Sequence, residues 1–105
     1  MRTRIYHRPR VAWDFARVVV SIATASDDLY TWFSTRVTEL IGVPYQLALY
    51  DTRTRLARPT RDDAPYVEAG LWRARIDDLL DRDADLAEDL YILAHDASSR
   101  LARRP

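Results

Sequence analysis

Four arginines, Arg53, Arg55, Arg58 and Arg61, fall close together and are followed at once by Asp62 and Asp63. Guanidinium groups at this density can fork onto carboxylates two oxygens at a time, or neutralise phosphates. Carboxylates are in supply nearby: Asp77, Asp78, Asp81, Asp83, Asp85, Glu88 and Asp89 are opposed by Arg82 alone. Further basic residues gather at Arg2, Arg4, Arg8 and Arg10 and again at Arg100, Arg103 and Arg104, while the formal net charge is zero. Charge is thus segregated rather than in excess, a pattern that steers encounters more than it sets a fold. The expectation is an exposed loop whose arginines answer the acids of 77–89, within the molecule or across a dimer. Arg58 and Arg61 lead, because Pro59 restrains the chain between them. The alternative is nucleic acid, held by arm, loop and tail together with aromatic rings stacked on bases. The zero net charge, the repelling acids and the lack of a legible recognition helix weigh against it.

Catalytic chemistry has little to draw on. The chain has no cysteine, two histidines (His7 and His95) and two glycines (Gly42 and Gly70), so thiolate chemistry and a glycine-rich phosphate loop are both excluded. Asp81, Asp85, Glu88 and His95 offer oxygens and a nitrogen to a hard cation, but their spacing matches no calcium loop. Acids there also suit the N-terminus of a helix, which needs no metal. The expectation is a non-catalytic chain with no cofactor and no metal.

A contact surface is easier to find. Glu88, Tyr91, Ile92 and His95 follow the i, i+3, i+4, i+7 pattern and lie off the leucine face of the last helix. Val67 and Leu71 similarly lie off the main stripe of the helix before it. A second apolar face in so short a chain marks either a central helix or a contact with another molecule. The functional expectation is therefore a small protein–protein interaction module or accessory subunit of a larger complex, a homodimer being one form. Its partner-binding candidates are Arg53, Arg55, Arg58, Arg61, Glu88, Tyr91, Ile92 and His95. The basic start lacks a clean apolar core, and no stretch suits a membrane span, so a cytoplasmic location is expected.

The elements that must position these residues follow from periodicity. A chain of 105 residues with 48% hydrophobic content supports one core and one domain. Residues 1–8 read as a possible flexible arm and 51–63 as the exposed arginine-rich loop. Pro9 suits a first helical turn, and Val11, Phe15, Val18, Val19 and Ile22 share a face on a helix over 11–24. Its apolar arc is wide enough to make it central. Ser26 with Asp27 and Asp28 opens a second helix over 27–41, closed by Gly42 and Pro44. YQLALY, residues 45–50, alternates as a strand with Tyr45, Leu47 and Leu49 on one side. Asp63 and Pro65 start a helix over 64–80, and Leu86, Leu90, Leu93, Ala97 and Leu101 mark a last one over 84–102. The fold expected is mainly α: four helices, a C-terminal antiparallel helical hairpin and a minor β element. The alternative is α+β, with strands near 3–7, 17–22 and 45–50.

Overall fold

The computed structural model describes residues 6–103, which form five helices and no strand. These are α1 Arg8–Ala23, α2 Asp27–Ile41, α3 Val43–Ala57, α4 Ala64–Arg82 and α5 Leu86–Ala102. The mainly helical expectation holds, whereas the count of four helices and the minor β element do not. Residues 17–22 lie inside α1 and 45–50 inside α3, and most of 3–7 falls outside the described residues.

Each boundary has a local cause. His7 is extended ahead of α1, its carbonyl accepts from the Val11 N–H at 3.0 Å, and Pro9 sits in the first turn. The valine run remains helical because Val18, Val19 and Ile22 extend the buried face of Val11 and Phe15, and tertiary burial outweighs β preference. Ser26 caps α2 through its Oγ, which accepts from the Leu29 N–H at 3.4 Å. Gly42 ends α2 at φ +100°, ψ 173°, donating its N–H to the Thr38 carbonyl.

The helix after Gly42 corrects the sequence reading. Pro44 was expected to prevent helical resumption, but it lies in the first turn of α3, where no intrahelical N–H partner is needed. Leu49, Thr52 and Leu56 are then buried at helical spacing, with Tyr45 and Ala48 half-buried beside them. Leu47, which a strand would place with Tyr45 and Leu49, points to solvent instead. In α4 the buried stripe takes in an acid. Tyr66 is 81% exposed, while Glu68 joins Ala69, Trp72, Ile76 and Leu80 in the interior.

The arrangement is governed by α1. It contacts all four other helices, most extensively α4 and α5. Arg8 pairs with Asp81, and Phe15 lies 6.5 Å from the Trp72 ring, which runs α4 antiparallel to α1. The Tyr6–Tyr91 ring contact at 5.0 Å and the shared groove of Arg17 and Ser98 run α5 parallel to it. Helices α4 and α5 therefore point in opposite directions but lie astride α1, without a substantial interface of their own. The expected hairpin is split by the central helix. Alanines on the facing surfaces (Ala12 and Ala16 of α1, Ala87, Ala94 and Ala97 of α5) are buried, and their small size allows close approach. Across this layer lie α2, against α1 and α5, and α3, against α2, α1 and marginally α4.

Gly42 and Gly70 should respond oppositely to alanine. At Gly42 an added Cβ has room, 3.7 Å from Pro44 Cδ, but the backbone occupies a region reserved for glycine. Gly42→Ala should cost about 1–3 kcal/mol in urea unfolding. Gly70 lies inside α4 with nothing within 4 Å of a new Cβ. Gly70→Ala should stabilise by about 0.5–1 kcal/mol.

Candidate functional site

Helix α3 runs to Ala57, so Arg53 and Arg55 are helical residues, and the 51–63 loop shortens to the link 58–63. Two residues apart on a helix, their side chains diverge rather than share a side. Arg53 turns toward the α1–α2 connection. Its Nη1 donates to the Ala23 and Ala25 carbonyls at 3.3 and 3.2 Å, and its Nη2 to Asp27 at 2.6 Å. The guanidinium carbon also lies 4.3 Å from the Tyr30 ring centroid. It thereby satisfies a carbonyl left over at the end of α1 and ties α3 to that turn. Burial pushes the Tyr30 phenol up, while the Arg53 charge opposes the shift.

Arg55 turns toward α4. Its Nε and Nη2 donate to both oxygens of Glu68 at 2.8 and 2.9 Å. Glu68 is only 5% exposed, so this fork neutralises a carboxylate that burial would otherwise penalise. The fully buried Thr52 completes the set. Its hydroxyl accepts from Trp72 Nε1 at 2.7 Å and shares its one proton between the Ala48 carbonyl and Glu68 Oε1. Arg75 adds positive charge, with its guanidinium 5.0 Å from the Trp72 ring. The Arg55 hydrogen bonds are the main cause holding Glu68 below its ordinary value of 4.5, against the opposing effect of burial.

The acids of 77–89 are thus not the partners of these arginines within the chain. Asp77 pairs with Arg73 and Asp81 with Arg8, while Arg82 reaches the Tyr45 hydroxyl at 3.3 Å. In the link, Arg61 forks onto Asp63 at 2.7 and 2.8 Å, which occupies the carboxylate expected to cap α4. Arg58 is exposed and has no ion pair among the described residues. Arg2, Arg4 and Arg104 lie outside the described residues.

The four candidates on α5 separate. Tyr91 and His95 stack at 6.3 Å with planes 10° apart, and Tyr6 packs on Tyr91. Tyr91 and His95 border a groove of about 440 Å³ between α1 and α5. Ile92 is exposed on a different side, beside Arg36, Leu40, Asp89 and Asp96, and Glu88 faces solvent. The groove places His95 near Asp14, without a hydrogen bond between them. Among the described residues no group of His, Asp and Glu is arranged to hold a metal, and no helix is long and apolar enough to cross a membrane.

Two features escaped the sequence reading. One is the buried Thr52–Glu68–Trp72 set, whose only local signal is a glutamate one turn before Trp72 on an apolar stripe. The other is the outer face of α3. Val43, Leu47 and Tyr50, at i, i+4, i+7, are 53%, 59% and 61% exposed.

Two predictions follow from the ion pairs. The folded-state pKa of Glu68 lies below its unfolded value, so its contribution to stability is complete above about 4.5 and is lost as pH falls through the folded pKa. Glu68→Gln should cost about 1.5–3 kcal/mol near neutrality, and urea melts should show the gap closing in acid. Separately, Arg53→Ser with Arg55→Ser should lower the melting temperature clearly, whereas Arg58→Ser with Arg61→Ser should change stability by at most about 0.5 kcal/mol.

Comparison of the chain with protein-family models, with curated proteins and with solved structures finds no match.

Proposed function

We propose that this chain is a non-catalytic protein–protein interaction module, an accessory subunit that docks through the outer face of α3. The observation that carries this reading is the solvent-facing row Val43, Leu47 and Tyr50. Three large apolar side chains at that spacing are the anchors a helix uses when it enters an apolar groove or packs on another helix. Their exposure leaves apolar area in water that docking would bury, a gain of about 25 cal/mol for each Å².

Rigidity supports the same reading. Helix α3 has few core residues, yet Arg53 fastens it to the α1–α2 turn and Arg55 to Glu68 of α4. A row held on a fixed helix loses little freedom on binding. Those same bonds, with the Arg61 fork onto Asp63, draw support from the nucleic-acid alternative, because three of the four clustered arginines are committed within the chain. A second copy is the partner to test first, since it presents the same row at every concentration.

Sedimentation equilibrium at low and high salt, with and without a random DNA duplex, tests the proposal. Self-association should change little with salt, since an apolar contact releases few ions, and Leu47→Glu should abolish it while leaving the helical content intact. A chain that stays monomeric at high concentration contradicts docking on itself. Tight duplex binding that falls steeply with salt would put nucleic acid in its place.

A further inference from the structure

A second surface, separate from the α3 row, carries an inference of its own: we propose that the groove between α1 and α5 binds a small oxyanion carried on a planar ring, of the aryl phosphate class. The groove measures about 440 Å³. That lies within the range of about 300–1,000 Å³ typical of small-molecule sites. Its walls are two matched strips. Helix α1 supplies Arg10, Asp14 and Arg17, and α5 supplies Tyr91, His95 and Ser98. Both strips follow i, i+4, i+7, so each presents one side chain per turn along the groove, and the two helices run in the same direction.

The balance of groups favours an anion. Two guanidinium groups and the donors of Ser98 and His95 face a single carboxylate, Asp14. The arginines are also loosely held. Arg10 Nε is 3.7 Å from Asp14, and Arg17 lies 5.7 Å from the Trp13 ring. Arg53 and Arg55, by contrast, form charge-assisted bonds at 2.6–2.9 Å. Arg17 on an open groove wall, with Arg10 in only a long ion pair beside it, is suited to two oxygens of a tetrahedral oxyanion.

The ring requirement comes from the α5 wall. Tyr91 and His95 form adjacent rings at this groove, stacked within 10° of parallel. Val18 and Ala94 add an apolar floor. A flat ring finds both a stacking surface and an apolar contact there, which a bare phosphate does not use. Asp14 plays the opposing part. It competes with the ligand for Arg10 and repels its charge, so removing its charge should tighten binding.

The test titrates the full chain with phenyl phosphate and, separately, inorganic phosphate and phenol, following backbone amide shifts by NMR. Phenyl phosphate should give saturable shifts centred on Ala94, His95 and Ser98, with affinity about tenfold above either fragment. Arg10→Ser with Arg17→Ser, both at the surface, should weaken it by about tenfold or more, and Asp14→Asn should strengthen it several-fold. Circular dichroism of each variant confirms that the helices persist. Shifts that do not saturate, that map away from the groove, or that survive loss of both arginines overturn the assignment. Equal affinity for inorganic phosphate overturns its aromatic part.

Discussion

Burial of α1 is the constraint on which the rest of the structure depends. Its apolar residues cover so wide an arc that no single neighbour can hide them: Val11, Phe15, Val18, Val19 and Ile22 on one side, Ala12, Ala16 and Ala23 beside them. Leaving them in water would forfeit the main favourable term in folding. The chain resolves this by placing α4 and α5 on the flanks of α1 and α2–α3 across it. Along α1 only Pro9, Arg10, Trp13, Arg17 and Ser21 remain exposed. Because α1 fills the space between them, the two C-terminal helices do not pair. Their short connection bridges the N-terminal end of α1 instead, where Asp81 meets Arg8.

Helix α3 bears the consequence. Once α1 is covered, α3 has a small apolar contact and is fastened largely by polar bonds. Arg53 meets carbonyls and Asp27 at one side, Arg55 meets Glu68 at the other, and Arg82 meets Tyr45 near the far end. Such bonds are directional, so they fix where α3 lies more than they add net stability. A helix positioned this way can keep its outer face apolar without that face being drawn into the core. The structural ties and the proposed docking row are two sides of one element.

Much of this was legible in the sequence, and the misses share a physical cause. The central role of α1 followed from the width of its apolar arc, and the start of α2 from Ser26 and its following acids, because both depend on neighbours within a turn or two. YQLALY misled because aromatic and aliphatic residues satisfy either period over six positions, and the helical period emerges only when Thr52 and Leu56 are included. Thr52 reads as a surface residue until Trp72 and Glu68, from another helix, are brought to it. The arginines were read as partners of the acids of 77–89 from an exposed loop, but Arg53 and Arg55 lie on α3. A helix separates them, and their partners became Asp27 and Glu68. Glu88, Tyr91, Ile92 and His95 were read as one second face, whereas Tyr91 and His95 line a groove against α1 and Ile92 faces elsewhere.

Amide hydrogen exchange tests the α1-centred account most directly, because protection reports which segments open only when the whole molecule unfolds. The amides of 15–22 in α1, the valine run included, should exchange slowest of all, at the rate set by global unfolding. Those of α3, fastened by a few polar bonds, should exchange sooner through local opening. If α4 and α5 outlast α1, the two C-terminal helices form the stable unit and α1 is not the element on which the others depend.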